Sequence, residues 1–447
     1  MRHRTSIATY ALAAAVMLLL AAPPRAAAQA DTPLRLTVHD AIDLALKASH
    51  RVGELEAREQ AARAAVDGRA ANAMPLVSLG GGYSRTNHVD EFAIVLPGQA
   101  PRLIYPDVPD NWRTRVDMQW PVYTSGRVQA LERAARSEDG AAGKDISTGR
   151  ADTRLDAERA YWNMVTATAA LKVVEDALAL VNAHLQDVRN LRAVGLVAPN
   201  DVLSAEAARS RQEVLRIEAR NGRDVADADL HRVTGLPASV TIELAAGLED
   251  PSPDTPSSER LLADAKQNRP ERQALQLRID ALGEQRIAAA AGLKPMVAVT
   301  GGVDYARPNP RIFPRADTWN QSWDVGVNVT WPLWDGGRVK ADVAQAGANR
   351  RAVEERMADF DVTLAFEVRQ RQLDLESARA AIAAATDEVG SAAEARRVVA
   401  ERFKAGLASN TEVLDAQQAL LVAQLDRTRA LAALKMAQAR LDRTLGR

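Results

Sequence analysis

Hydrophobic and polar residues alternate in four short segments of the chain, and a period of two is typical of β-strands with one apolar face. The opposite face of each segment carries charged residues, small polar residues or glycine. In two segments, tryptophans stand eight residues apart, so both ends of the apolar face are aromatic. The segments are 77–83, 112–120, 297–305 and 323–331, and the tryptophans are Trp112, Trp120, Trp323 and Trp331.

A helical period marks the longer, proline-free parts of the chain. Val353, Met357, Phe360, Leu364 and Val368 follow steps of four and three, which is the pattern of a coiled-coil helix. Alanine, a strong helix former, is abundant along the same stripe. One such helix would be about 100 Å long at ~1.5 Å per residue. The pattern predicts long helices at 337–403 and 411–445, equivalents in the first half, and shorter helices at 38–73 and 258–293.

The chain also repeats itself at an offset of 211 residues. Trp120-Pro121 recurs as Trp331-Pro332, and four further matches of one or two residues have the same spacing. A repeat of this length indicates a duplicated half rather than a solenoid unit. We therefore expect two structural repeats, 29–250 and 251–447, joined by the proline- and serine-rich stretch at 250–256.

The N-terminus has the three parts of a secretory signal peptide. Arg2 and Arg4 precede an apolar stretch at 7–22, and small residues follow at 26–28. We predict a signal peptide at 1–28; a single-span anchor is the alternative. Because no later stretch has the ~20 apolar residues of a membrane helix, a membrane crossing in the rest of the chain requires β-strands.

The alternating strands fit a membrane barrel. Eight residues cover roughly 26 Å at ~3.3 Å each, about the height of an outer-membrane apolar band, and aromatic residues flank such bands. Four strands leave open edges that lipid does not tolerate, so other chains must complete the barrel; three copies would supply twelve strands. The segments 86–110 and 306–321 would be outer loops. A small soluble β-sandwich is the alternative.

Composition argues against several other classes. The 57 Lys and Arg residues balance 58 Asp and Glu residues, whereas a nucleic-acid binder normally has a basic excess. The absence of cysteine excludes disulfides, thiolate metal sites and a cysteine nucleophile. The six histidines have no paired metal-ligand spacing, and no nucleophile–base arrangement is apparent. We therefore expect no enzyme activity, no cofactor and no metal site.

Several motifs in the sequence are similar to those of a known protein family. The stretches 331–338 (WPLWDGGR), 402–407 (RFKAGL) and 412–417 (EVLDAQ) resemble the TolC-type family of outer-membrane efflux ducts. Ser49-His50 departs from the asparagine–proline usual in the family. The resemblance implies a mainly α fold with membrane β-structure: long antiparallel coiled-coil helices and four strands per chain. It also implies a homotrimer with a twelve-stranded barrel in outer-membrane lipid and an α-helical tunnel in the periplasm.

The same resemblance implies function and partners. Family members are passive exit ducts in tripartite efflux or type I secretion systems, joined through a periplasmic adaptor (membrane fusion) protein to an inner-membrane pump. The turns at Gly195-Leu196 and Gly406-Leu407 would dock the adaptor. A secreted coiled-coil structural protein with a small β head is the alternative, and it would remain soluble without detergent.

Acidic residues follow both of these turns. By resemblance Glu412 and Asp415 line the periplasmic aperture, together with Asp201, the first-half counterpart of Glu412, and Asn200, which matches a polar residue of the family. In a trimer each acid would form a ring of three carboxylates that repel one another and attract cations. Helix capping is the alternative role, since Ser409-x-x-Glu412 is a capping box. Phe403 and Ala408 replace a tyrosine and an arginine of the best-known member, so the family's closing network is not reproduced.

Overall fold

The computed structural model describes residues 33–248 and 258–447. The predicted signal peptide and the predicted junction at 250–256 lie outside the described residues. Two pairs of long helices dominate the described chain, and their bounds agree with the coiled-coil pattern to within a residue or two. The helices are α1 (Val38–Ala48), α2 (His50–Ala71), α3 (Arg127–Ala193), α4 (Pro199–Thr234), α5 (Ser258–Asn268), α6 (Pro270–Ala290), α7 (Arg338–Lys404) and α8 (Asn410–Thr444).

The shorter helices predicted at 38–73 and 258–293 are each divided in two. Ser49 has an extended backbone between α1 and α2, and its hydroxyl accepts a hydrogen bond from the Val52 amide, which caps α2. Arg269 is extended between α5 and α6 because the following Pro270 disfavours the helical conformation at the residue before it. The apolar period continues across both breaks, so the sequence pattern did not predict them.

Matching helices of the two halves have two different offsets. The first residues of α1 and α2 precede those of α5 and α6 by 220 positions, whereas α3 and α4 precede α7 and α8 by 211. Both α3 and α7 contain 67 residues. The first half is therefore nine residues longer, and the excess lies in the strand region between the short and long helices.

The strands are β1 (Leu34–Leu36), β2 (Leu76–Arg85), β3 (Phe92–Ile94), β4 (Arg102–Tyr105), β5 (Asp110–Tyr123), β6 (Ile242–Leu244), β7 (Met296–Arg307) and β8 (Asn320–Thr330). Four of them form one antiparallel sheet in the order β2-β5-β7-β8, and these four were predicted. Two small features were not predicted: a parallel pair of β1 with β6, and a hairpin of β3 with β4, which lies inside the segment 86–110 expected to be a plain outer loop.

The register of the sheet separates one apolar face from one polar face. Directly opposed residues share a face, and Val116 lies between Leu79 on β2 and Val303 on β7, which in turn opposes Trp323 on β8. All four of these side chains are exposed, Trp323 to 75%. The apolar face is thus continuous across four strands and uncovered within the chain.

Charged residues of the polar face form an ion-pair network across three strands. Arg113 on β5 contacts Asp304 on β7 at 2.6 Å. Arg115 also contacts Asp304, and it reaches Asp324 on β8 at 2.9 Å and Asp117 on its own strand. The Asp304 side chain is almost fully buried by these arginines. The charges of Arg113 and Arg115 are therefore compensated by carboxylates of the same face.

The helical region packs the two halves against each other. Helix α3 contacts α2 and α4 of its own half and α6 and α8 of the other half. Arg443 on α8, which is largely buried, contacts Asp152 on α3 at 2.6 Å and Glu271 on α6 at 2.5 Å. Burial alone would raise the pKa of Glu271, but the hydrogen bond from Arg443 and the charges of Arg269 and Arg443 hold it below the usual value. This arginine joins three helices from both halves.

None of the helices within 33–248 and 258–447 combines the length and apolar character needed to cross a bilayer.

Candidate functional site

Two turns, one between α3 and α4 and one between α7 and α8, lie at the end of the helical region remote from the sheet. Gly195 and Gly406 adopt φ values of +78° and +72°, a left-handed conformation that strains other residues. The next amide closes each helix: Leu196 N–H donates to Leu191 O at 3.0 Å, and Leu407 N–H donates to Arg402 O at 2.8 Å. Both leucine side chains are about 70% exposed (72% and 68%). Each turn therefore presents one apolar side chain at its tip.

Acidic side chains begin the helix that follows each turn. The Glu412 carboxylate accepts hydrogen bonds from the Ser409 amide at 3.1 Å and hydroxyl at 3.0 Å, and the Ser409 hydroxyl accepts from the Glu412 amide. These hydrogen bonds, with the charge of Arg402, lower the pKa of Glu412. Asp201 similarly accepts from the Ala198 amide at 3.2 Å. Both acids thus accept a hydrogen bond from the N-cap amide of their own helix, and only the Ser409–Glu412 pair is reciprocal, since Ala198 has no hydroxyl.

The other two predicted aperture residues are free of capping contacts. Asn200 is exposed in the first turn of α4. Asp415 is exposed on α8, one turn after Glu412, and lines a cleft of about 510 Å³ with Arg211 and Gln417. Asp415 is therefore available to groups outside this chain, whereas Glu412 is engaged in its own helix.

Sequence reasoning missed the contact that joins the two turns. His184 Nε2 lies 2.7 Å from Asn410 Oδ1, and Asn410 Nδ2 donates to Asp201 O at 3.2 Å. Both side chains are buried, and the His184 ring meets the Phe403 ring edge-on at 5.1 Å. Because His184 and Asn410 lie 226 residues apart, no local pattern could indicate their contact. His184 appeared in the sequence as one of six scattered histidines.

The four tryptophans predicted to border the apolar band as an aromatic girdle lie at the two ends of the apolar sheet face. Trp120 Nε1 donates to Ala73 O and Trp331 Nε1 donates to Leu293 O, each at 3.1 Å, at the ends of the short helices. Trp112 and Trp323 lie near the hairpin loops, and all four indole rings are exposed. An exposed apolar band bordered by tryptophans is the pattern of a lipid-facing sheet.

Long paired helices joined to such a sheet define an envelope-spanning channel protein. The family model described as "Outer membrane efflux protein" matches residues 41–236 and 261–447. The chain belongs to this family. It is accordingly an outer-membrane efflux channel, with its helical part in the periplasm; the resemblance inferred from the motifs is confirmed, and the secreted coiled-coil alternative is not supported.

Curated relatives and solved structures agree with this assignment. The chain is 28% identical to Protein CyaE of Bordetella pertussis over 416 residues, covering 90% of this chain and 84% of that protein. It is 27% identical to outer membrane efflux protein BepC of Brucella suis over 297 residues, covering 65% and 62%. Its fold is similar to CusC (TM-score 0.78, 16% identity, 92% of both chains) and to VceC of Vibrio cholerae (TM-score 0.74, 21% identity, 92% and 96%).

Proposed function

We propose that three copies of this chain form the exit duct, with a twelve-stranded barrel continued by a helical tunnel. The unpaired edges of the sheet carry this proposal: within the described residues, β2 and β8 each have one strand neighbour. An open edge in lipid leaves a row of backbone groups without hydrogen bonds. Pairing β8 of one copy with β2 of the next removes every edge, and twelve strands is an even number within the known range.

Exposed apolar side chains on the long helices support the same assembly. On α4, Val214, Ile217 and Val225 are more than half exposed, and on α7 Val362 and Phe366 are about 70% exposed (72% and 67%). A monomeric protein normally buries such residues. Neighbouring copies of the chain would cover them in a closed tunnel.

Within each copy we interpret the chain as two repeats, 29–250 and 251–447. The equal lengths of α3 and α7 and the constant offset of the helices that follow support a duplication. Three copies with two repeats each would present six similar helix pairs around the tunnel.

The end of the helical region that carries the two turns, here called the tip, would form the aperture of the duct. Rings of Asp415 and Glu412 would concentrate negative charge there, with Asn200 and Asp201 beside them on the first-half helices. We expect the double substitution Glu412→Ala and Asp415→Ala to weaken block of single-channel current by divalent cations. Unchanged block would leave helix capping as the role of Glu412.

Opening of the aperture requires the two turns of a chain to separate. The His184–Asn410–Asp201 contact joins them across the halves. It would act in place of the family network, whose tyrosine and arginine correspond to Phe403 and Ala408 here. We propose that this contact holds the tip closed, since it is short and buried.

Energy and partners would come from outside the chain. The duct would be passive in a tripartite efflux or type I secretion system, driven by an inner-membrane pump through a periplasmic adaptor. The exposed Leu196 and Leu407, beside Gly195 and Gly406, offer the adaptor matching apolar contacts at six places in a trimer. Replacing both leucines by aspartate should abolish crosslinking to the adaptor without changing the amount of trimer.

The decisive experiment is the detergent-corrected mass of the protein extracted from isolated outer membranes. A mass of three chains supports barrel completion by three copies. A soluble monomer or dimer absent from the membrane fraction would contradict it and would mean that the alternating strands pack as an ordinary core.

A further inference from the structure

The polar face of the sheet contains a cavity of about 440 Å³ near the hairpin loops. Strands β2, β5 and β7 form its floor, and the loop at 308–319 covers part of it. Three arginines line the cavity, Arg113, Arg115 and Arg315, together with the carboxylate of Asp117. The lining of the cavity therefore has an excess of positive side chains.

Glycines leave the floor of the cavity open. A β-carbon at Gly80 or at Gly82 would meet no atom within 4 Å. Both residues lie on the same face as Arg113 and Arg115, opposite the lipid-facing side chains. Glycine inside a strand weakens it and often marks a place where a ligand approaches the backbone closely. The floor thus has room for a small group beside the arginines.

Arg315 differs from its neighbours because it is held by neutral groups. Its Nη1 donates to the Tyr105 hydroxyl and its Nη2 to Asn111 Oδ1, both at 2.7 Å. The guanidinium also lies 5.3 Å from the centre of the Tyr105 ring. Its Nε is buried and has no hydrogen-bond partner in the part of the chain that the structure describes. Arg115, in contrast, has carboxylate partners for its charge.

The local charges leave one arginine uncompensated. Of the arginines that line the cavity, Arg113 is bound to Asp304, and Arg115 is bound to Asp117 and Asp324. Within the described residues, Arg315 has hydrogen bonds to neutral groups and no carboxylate contact. Burying part of an arginine side chain without an anionic partner costs free energy, because the charge loses hydration. The N–H donors of the planar guanidinium are arranged so that two of them can bind one oxyanion.

We propose that this cavity binds the oxyanion group, carboxylate or phosphate, of small acidic solutes passing through the duct, with Arg315 as the principal donor. The proposal rests on the proposed function, in which the polar sheet face lines the lumen. Binding would occur close to the outer exit, since the cavity lies beside the hairpin loops. Three such cavities per trimer would favour anionic cargo over neutral molecules of the same size.

The test is the block of single-channel current by inorganic phosphate, added on the loop side of the purified channel in a planar bilayer. Arg315→Gln should raise the half-blocking phosphate concentration about tenfold or more, the loss expected for a charge-assisted hydrogen bond. Gly80→Asp should have a similar effect, because it adds a carboxylate to the open floor without removing an arginine. Arg102→Gln is the matched control, since it removes the same charge from an exposed position on β4 outside the cavity. Acetate used in place of phosphate separates carboxylate recognition from phosphate recognition.

The outcomes separate this inference from the function on which it rests. A conducting channel that phosphate does not block, or equal effects of Arg315→Gln and Arg102→Gln, would overturn the binding site and leave the duct intact. A wild-type protein that forms no conducting channel would overturn the duct itself, and the lumen site with it.

Discussion

The buried contact between the two tip turns leads to a quantitative prediction for Asn410→Leu. Leucine has nearly the size of asparagine but no polar atoms, so the substitution removes both hydrogen bonds of this side chain. His184, which is only 6% exposed, then keeps a ring nitrogen without its partner. The substitution should therefore destabilise the arrangement in which the turns are joined.

The expected magnitude follows from the burial of His184. Leaving a buried polar group without a partner costs about 1–3 kcal/mol, and we take about 2 kcal/mol. In the proposed opening, Asn410 separates from His184, so the whole cost falls on the closed state. A change of about 2 kcal/mol shifts a two-state equilibrium roughly 30-fold toward the open state.

Single-channel recording in planar bilayers measures this shift as the ratio of time in high- and low-conductance states. Thr411→Val is the matched control, because it removes a polar group of similar size from an exposed position next to Asn410. Detergent-resistant trimer should be present for both variants. Cells carrying Asn410→Leu should also become more permeable to large antibiotics that the outer membrane normally excludes.

A second variant makes the reasoning refutable. Because His184 and Asn410 share a hydrogen bond, and the double variant no longer contains the unpaired ring nitrogen, His184→Leu combined with Asn410→Leu should shift the equilibrium no more than Asn410→Leu alone. Equal open fractions for Asn410→Leu, Thr411→Val and wild type would mean that the contact does not hold the tip closed. Additive effects would mean that the two residues act separately.

Three further predictions concern the sheet, the helical region and the tip. Val327→Lys puts a charge on the apolar face, at a cost of ~2–4 kcal/mol near the membrane centre, and should reduce the amount of trimer in the outer-membrane fraction on immunoblots. Asn328→Lys, on the polar face, should not reduce it. Equal losses of trimer for the two variants would contradict the assigned orientation of the sheet. Arg443→Met removes the side chain that joins Asp152 and Glu271 and leaves each acid with one arginine partner, Arg51 and Arg269 respectively. It should cost about 1–3 kcal/mol, seen as a lower urea midpoint at pH 7; an unchanged midpoint would refute this. The pKa of Glu412 is lowered by its cap contacts, so its contribution is complete above the ordinary value of 4.5 and is lost as pH falls through the lowered value. The protection factors of amides in the first turn of α8, which correct for the intrinsic exchange rate at each pH, should therefore fall at acid pH. Glu412→Gln should flatten this dependence, and Asp415→Asn should leave it unchanged.

Sequence pattern was sufficient for the long elements because one physical rule governs each of them. The strand at 112–120 alternates because it has one apolar and one polar face, and α7 follows a coiled-coil period because one stripe is packed along its length. The breaks at Ser49 and Arg269 escaped this reasoning because the apolar period continues across them. The proline after Arg269 was a usable signal for the second break.

Side-chain contacts between distant segments were beyond reach of the same reasoning. Asp304 reads in the sequence as an ordinary polar-face residue, and only the register of β5 with β7 brings it to Arg113 and Arg115. Similarly, the capping role of Glu412 was readable from Ser409 three residues earlier, whereas the partner of Asn410 was not. Local chemistry was predictable, and chemistry that depends on topology was not.

The equal lengths of α3 and α7 restrict how this protein can change during evolution. Inserting one residue into either helix would rotate everything beyond it by about 100° and turn the packed stripe away from its neighbours. The hairpin loops carry no such restriction, as the nine extra residues of the first half demonstrate. Lineages of this protein should therefore diverge in length at the cell surface, where the environment is encountered, while the distance spanned across the periplasm stays constant.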